Sequence, residues 1–417
     1  VSDLGVRAVT EKQVELRQLE LRGLKRLTSY GLTAVESPHL CSVDLSDCPQ
    51  ICSAGVVHLV THNPNIQRLY LNHCKAVDDI GLHAVGAHLA DQLRALELDF
   101  LENLHDPSNA INYITGKCPN LVQLSLCRYF PQQGFHLLHL ECNIRSMELR
   151  DLDLYGNYFS VLPRLPESIS SIRLSCSGYE DVQDLSSRLR SLPHLQAIKM
   201  AVVCREASET SVRRVNDFLC ELLPEFGSKF SCLQIQAYQI FDETLEEIVG
   251  SCLKLSRFAM DVVHASPNLL YQLVTVDAER TKRFRSIKLC RLRLPYKFLS
   301  CVGWQCSQLE EIEMSHMDCI DDRFLKLLAT NCPKLKSANF NGCRWVSDRG
   351  LCALARGCCL KEVRVRATSV SDKCVYVLAQ CCPDLEWISH ADYTGRPRFS
   401  EDALQTLRDS CIQRVIC

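Results

Sequence analysis

Three consecutive segments, LEEIEMSHMDCIDDRFLKLLATNCPK (Leu309–Lys334), LKSANFNGCRWVSDRGLCALARGCC (Leu335–Cys359) and LKEVRVRATSVSDKCVYVLAQCCPD (Leu360–Asp384), read as one pattern written three times. Each begins with L-x-x-L-x-L, whose alternation suits a short strand with one face buried. A turn follows, then an Asp or Ser suited to start a helix, then apolar residues at helical spacing that run out at a Cys. A period that switches from two to 3.6 within every copy marks a repeat array, so self-similarity decides the fold before any single element does.

Outward from these copies, the same frame recurs at Leu16, Leu40, Ile66 and Leu93, and again at Leu121, Ile144, Ile169, Leu195, Phe230, Leu255, Phe284 and Leu385. The spacing is mostly about 23–29 residues, in or near the range of leucine-rich repeats. In LCSVDLSDC the frame places Leu40, Val43 and Leu45 in the core and Ser42, Asp44 and Ser46 outside, with Cys48 lining the turn where other repeat classes use Asn. Ser53 then starts a helix whose stripe is Val56, Leu59 and Val60, and comparable caps are Asp78, Asp242, Asp321, Ser347, Ser371 and Ser400. Neither half of a repeat buries its apolar face alone, so neighbours must stack. The expected architecture is an α/β, right-handed leucine-rich-repeat solenoid, a horseshoe with parallel strands on its concave face and helices on its convex face.

The copies fit well over residues 1–116 and 307–417 and less well over 117–306. There LYGNYFSVLPRLPES carries two Pro that interrupt a helix, the interval from Leu195 to Phe230 is too long, and VDAERTKRF looks inserted. Insertions in solenoids are expected as loops at the rims. No linker rich in Gly, Ser or Pro breaks the chain, so residues 1–417 are expected to form one continuous domain. The first residues, VSDLGVRAV, lack an initiator Met and enter in the second half of a repeat, as a fragment of a longer chain would.

With 417 residues, 47% of them hydrophobic, and 47 Lys+Arg against 49 Asp+Glu, the chain is globular in composition and nearly neutral. That balance offers no general attraction to nucleic acid or anionic membrane. No apolar run reaches the ~18 residues needed to cross a bilayer. The 26 Cys recur at fixed repeat positions, without Cys-x-x-Cys pairs, and no Asn-x-Ser/Thr sequon occurs. Reduced thiols in a cytoplasmic or nuclear protein fit this better than a secreted disulfide framework.

The runs C-R-W-V-S-D-R-G-L-C-A-L-A-R-G-C-C-L-K-E-V (Cys343–Val363) and H-C-K-A-V-D-D-I-G-L-H-A-V (His73–Val85) resemble the cysteine-containing leucine-rich repeat of the F-box and leucine-rich-repeat proteins. The resemblance covers almost the whole chain, weakly in the middle. It implies that the repeats hold a protein substrate for ubiquitination, while a separate F-box docks the Skp adaptor of a cullin-based ligase. No F-box pattern is present here, and LCELLPEFGSKF is too short and wrongly placed to be one, so those adaptor contacts belong outside this chain. The alternatives are a stand-alone repeat scaffold with no ligase role and, less favoured, an extracellular receptor.

The residues flanking each strand leucine form the expected binding ladder: Lys288, then Glu311 and Glu313, Asn339 and Asn341, Arg364 and Arg366, and Trp387. The N-terminal rungs lean acidic, with Glu20, Asp44, Glu97, Asp99 and Glu148, relieved by Arg22, Arg68 and Arg150. Arg364, Arg366 and Trp387 are the candidate partner-binding cluster, because Arg and Trp are enriched among residues that dominate interface energy. Trp345 and Tyr393 stand beside them in loops. Against this stands a plainer reading in which the same arginines pair with Glu311, Glu313 or Glu362 on a solvated face. The neighbouring Cys358/Cys359 and Cys381/Cys382 end corresponding helices and lack zinc-ligand spacing. His58, His73 and His83 match no nucleophile–base pattern. No catalytic, metal or cofactor residue is expected, and the chain reads as non-enzymatic by itself.

Overall fold

Three-residue strands are the unit of the fold, because L-x-x-L-x-L leaves room for only one inward residue between two outward ones. The computed structural model describes residues 2–127, 147–155, 164–392 and 394–411. The chain divides into two compact units, one made of residues 1–176 and 180–200, the other of residues 177–179 and 201–417.

In the first unit the strands are β1 (Gln18–Glu20), β2 (Ser42–Asp44), β3 (Arg68–Tyr70), β4 (Ala95–Glu97), β5 (Gln123–Ser125), β6 (Asp151–Asp153) and β7 (Ser171–Cys176). They pair in parallel and in chain order, and their central residues align as one core ladder, Leu19, Val43, Leu69, Leu96, Leu124, Leu152 and Ile172. All seven are buried. The helices are α1 (Asp3–Thr10), α2 (Ser53–His62), α3 (Asp79–His88), α4 (Pro107–Lys117) and α5 (Val182–Arg190), and a 3-10 turn spans Ser29–Ala34. Strand β8 (Ala197–Val203) contains the point where the division falls.

The second unit repeats the scheme. It contains α6 (Glu209–Phe226), β9 (Phe230–Gln236), α7 (Asp242–Ser251), β10 (Arg257–Asp261), α8 (Pro267–Leu273), α9 (Ala278–Arg283) and β11 (Ser286–Cys290). It continues with α10 (Tyr296–Gln305), β12 (Glu311–Glu313), α11 (Asp322–Asn331), β13 (Ser337–Asn339), α12 (Asp348–Gly357), β14 (Glu362–Arg364), α13 (Asp372–Cys381), β15 (Trp387–Ser389) and α14 (Glu401–Ser410). Its core ladder is Leu233, Phe258, Ile287, Ile312, Ala338, Val363 and Ile388. Each unit is therefore an α/β leucine-rich-repeat stack with one strand per repeat.

Several expectations change in detail. The long interval before Phe230 is not a loop but α6, an 18-residue helix, and VDAERTKRF supplies α9, capped by Asp277. The less regular middle also has longer strands, six residues in β7 and seven in β8 and β9, against three in the outer repeats. Ser46 is buried rather than outward, because its N–H is taken by Asp44 and its carbonyl by Gly23. Ser53 and Asp242 stand one residue inside their helices, after Cys52 and Phe241. Ser53 instead accepts the N–H of Asp78 (2.9 Å), and the buried Asn216 takes the N–H of Phe241 (2.8 Å). The repeat start at Ile144 lies outside the described residues.

The cysteines form two hydrogen-bonded ladders. At the turn, Cys48, Cys74 and Cys343 place Sγ 3.1, 3.0 and 2.9 Å from the carbonyls of Leu21, Leu45 and Met314 one repeat earlier. Burial pushes these thiols up to about 11, 12 and 12, so each keeps its proton and donates it. At the helix ends, Cys332 and Cys358 reach the carbonyls of Cys306 and Cys332 at 3.5 and 3.4 Å. Among the described residues every cysteine is free. Cys358 and Cys382 are buried whereas their neighbours Cys359 and Cys381 are not, so each pair is split between core and surface.

A second feature repeats with the same period. Gly23, Asp47, His73, Phe100, Arg291, His316, Gly342 and Ala367 all have φ between 53° and 76°. From this left-handed turn the N–H of Asp47, His73, His316 and Gly342 reaches a carbonyl of the next repeat at 2.7–2.8 Å. Handedness strain in the non-glycine cases is of order 1–2 kcal/mol each, and the inter-repeat hydrogen bond offsets it.

Candidate functional site

Outside the core ladder, alternate strand residues of the second unit form a face of side chains that answer one another across rungs. Glu311 on β12 receives Lys288 Nζ from β11 (3.1 Å), Arg257 Nη1 from β10 (3.1 Å) and Ser286 Oγ (3.0 Å). Burial raises the Glu311 carboxyl, but Lys288 and Arg257 outweigh it and hold the group below its ordinary value. Glu313 accepts from Asn339 Nδ2 (2.9 Å), whose Oδ1 receives the Asn341 N–H (3.0 Å). Asn341 Oδ1 in turn receives the Arg366 N–H (2.8 Å). These ladder residues thus fall into two groups, Glu311 with Lys288, and Glu313 with Asn339, Asn341 and Arg366.

Arg364 and Trp387 stand on the last two strands, β14 and β15. Arg364 Nη2 lies 2.6 Å from Glu362 Oε1, and its guanidinium carbon is 6.0 Å from the Trp387 ring centre, at the limit of a cation–π contact. Trp387 is 41% exposed. Beside it is a groove of about 390 Å³ lined by Glu310, Glu311, Lys336, Lys361, Glu362 and Trp387, among others. Arg366 is presented differently: its Nη2 reaches the Asp392 carbonyl at 3.4 Å, while its Nε is buried without a hydrogen-bond partner. The arginine pairing with Glu362 weighed above is present, and it leaves the indole uncovered.

Trp345 is not on the strand face. It sits in the turn before α12, 60% exposed, with the Arg344 guanidinium 5.6 Å from its ring centre. Tyr393 lies outside the described residues. Sequence reasoning missed Trp304, 65% exposed on α10, because it reads as part of an amphipathic helix. It also missed a groove of about 970 Å³ at the strand-to-helix turns, lined by Asp242, Glu243, His264, Arg291 and Arg293 with Phe241 and Leu292. Only the positions of those turns, not their spacing in three dimensions, can be read from the chain.

The first unit carries a face of opposite character. Glu97, Asp99, Asp151 and Asp153 line a groove of about 300 Å³ with Arg173 and Lys199 at its edge. Burial raises the carboxyls of Glu97 and Asp99, which keep hydrogen bonds from Asn72 Nδ2 (2.7 Å) and Ser125 Oγ (2.7 Å) respectively. Arg173 pairs with Asp153 (3.3 Å) and stacks over Tyr155 (4.3 Å).

Repeating strand–turn–helix units with an open strand face define a leucine-rich-repeat protein. No protein-family model matches the chain. Over 169 residues it is 27% identical to the DNA repair protein rhp7 of Schizosaccharomyces pombe, a match covering 34% of this chain and 30% of that protein. The chain therefore matches under a third of the length of this curated relative. Among solved structures it is similar to yeast Rad7 in its complex with Elc1 (TM-score 0.40, 14% identity, 97% of this chain and 81% of that one). It is also similar to the leucine-rich-repeat protein LegL7 of Legionella pneumophila (TM-score 0.34, 11% identity, 79% and 93%). A third is TLR13 from its complex with ssRNA13 (TM-score 0.39, 15% identity, 91% and 56%). Among the described residues no helix is long and apolar enough to cross a membrane.

Proposed function

We propose that this chain is the substrate-recognition part of a Skp–cullin–F-box type ubiquitin-ligase adaptor, holding a protein on the open strand face of its second unit. In this reading Arg364 and Trp387 are the anchors. Arg366, Asn339, Asn341, Glu311, Glu313 and Lys288 shape the rest of the face, with Trp345 and Tyr393 as further contact residues. The observation that carries it is the uncovered Trp387 indole beside Arg364 and a groove of mixed charge. A large amphipathic ring next to a bidentate donor is the composition of interface hot spots. The ligase link is what the resemblance of Cys343–Val363 and His73–Val85 implies, and the Skp adaptor and cullin are engaged through a part outside this chain.

A second reading is a stand-alone scaffold without a ligase role, working beside repair proteins as the name of the relative suggests. In that reading the chain works in the nucleus. Affinity capture of the full-length protein from cells separates the two. The wild type is expected to bring down cullin-ligase subunits together with a substrate. Arg364→Ala/Trp387→Ala is expected to keep the ligase subunits and lose the substrate by tenfold or more. Capture without ligase subunits would favour the scaffold, and an unchanged set of partners in the double variant would remove the face as the interface.

A further inference from the structure

The helix-covered side of the first unit holds three ligand-type side chains that neither the repeat nor the proposed function uses. His58 and His62 are one helical turn apart on α2, on the same face. Glu36 stands next to them from the preceding repeat. One ligand atom from each lies within 4.8 Å of the other two. We propose that Glu36, His58 and His62 form a binding site for a divalent transition-metal ion of the zinc class, clamping two neighbouring repeats together.

The hydrogen bonds around the site prepare it for a cation. His62 Nδ1 lies 2.9 Å from the His58 carbonyl, which can only accept, so Nδ1 carries the proton and Nε2 presents a lone pair. That lone pair points to Glu36 Oε1 at 3.9 Å. Two acceptors so placed can share a cation, either a proton or a metal, in place of solvent water. The second imidazole decides between these. The His58 ring stacks on His62 with centroids 4.0 Å apart and planes at 19°, and His58 Nδ1 is buried without a hydrogen-bond partner. An ion pair between His62 and Glu36 would leave the second ring idle, whereas a metal engages a ligand atom of all three side chains. A backbone carbonyl fixing the tautomer of one ligating His is the usual outer-shell support of such sites.

The carboxylate is held in register by a buried residue. Asn63, which follows His62 directly, accepts the Ser37 N–H through Oδ1 and donates through Nδ2 to the carbonyls of Val35 and Leu59, each at 2.8 Å. It therefore grips the chain on both sides of Glu36 and ties it to the end of α2. Corresponding positions of later repeats, Cys118, Cys252 and Cys332, carry Cys, and this cradle occurs where a His pair precedes it. Donor atoms in a tetrahedral zinc site are about 3.3 Å apart, with ligand bonds of about 2.0–2.1 Å. The Glu36 side chain, 60% exposed, can close that gap by rotation while the His62 ring keeps its hydrogen bond. Three protein ligands leave a fourth position for water.

The test is calorimetric titration of the reduced protein with Zn²⁺, with Co²⁺ absorption as a second readout, because the many free thiols are competing ligands. The wild type is expected to bind one equivalent with a Co²⁺ spectrum free of thiolate charge transfer, and its Tm is expected to rise with Zn²⁺. His62→Ala and, separately, Glu36→Gln are expected to weaken binding at least tenfold while leaving the metal-free circular dichroism unchanged. Equal affinity in the wild type and His62→Ala, or a thiolate-dominated Co²⁺ spectrum, overturns the assignment. A wild type that binds no Zn²⁺ leaves an ordinary His–Glu ion pair and overturns it too.

Discussion

Arg280 shows how far a single side chain can depart from the repeat that surrounds it. It is fully buried, with Nη1 donating to the Val249 carbonyl (2.7 Å) and Nε and Nη2 lacking hydrogen-bond partners. Burial lowers its pKa, and Asp277 only partly restores it. An incompletely paired buried cation weakens a fold, and replacement of such groups by apolar residues of similar volume is neutral to stabilising. Arg280→Met is therefore expected to raise stability by about 1 kcal/mol, measured as the denaturant midpoint at unchanged slope. A lower midpoint would refute it. Nothing in VDAERTKRF distinguishes this arginine from its exposed neighbours, since burial there depends on α9 lying against the stack. The turn cysteines were more legible. Their position follows from the frame at Cys48, Cys74 and Cys343, but the thiol-to-carbonyl bond to the preceding repeat becomes visible only in three dimensions.

At the scale of the element, the Ser-Asp pairs at helix starts do two jobs that the sequence reading combined into one. Ser347 and Ser371 cap their own helices, accepting the N–H of Arg349 and Lys373. The Asp that follows serves the next repeat: Asp348 accepts the N–H of Ser371 at 2.7 Å and its Oγ–H at 2.6 Å, and Asp322 treats Ser347 likewise at 2.8 and 2.6 Å. Each acidic first turn thereby staples the start of its successor, in addition to favouring its own helix dipole. Ser371→Ala is expected to cost about 1 kcal/mol, as cap removals do. Asp348→Ala should cost a similar amount. The two are coupled through one pair of bonds, so the double variant is expected to fall short of the sum by about 0.5 kcal/mol or more in a denaturant series. Strict additivity would show that the staple carries no energy. The caps at Asp78, Asp321, Ser347, Ser371 and Ser400 were readable because capping is local. The staple was not, since its partner lies a whole repeat away.

For the whole molecule, the frame predicts the inward residues well: Leu335, Ala338 and Phe340 are all buried, as are Leu40, Val43 and Leu45. The face was legible less completely: outward positions follow from the inward ones, but Ser46 and Asn339, expected to face outward, are buried. The pairings across rungs, Glu311 with Lys288 and Arg257, depend on rotamers that no periodicity encodes. The continuity of the array is a separate matter. We propose that the chain folds as one continuous domain, on the ground that no stretch rich in Gly, Ser or Pro breaks its sequence, although its contacts cluster into two units. In a repeat protein, stability is a sum of intrinsic repeat terms and nearest-neighbour terms, so cooperativity extends only as far as those interfaces stay strong. Leu69→Ala removes a buried side chain from the first unit and Leu335→Ala one from the second, each at a cost of about 2–5 kcal/mol. If the array is one cooperative body, both variants move the same denaturant transition, and far-ultraviolet circular dichroism and tryptophan fluorescence report it together. Trp304, Trp345 and Trp387 all lie in the second unit, so fluorescence follows that unit alone. Leu69→Ala shifting the dichroism while leaving the fluorescence transition in place would mean that the two units unfold independently, and the single-domain proposal would be lost.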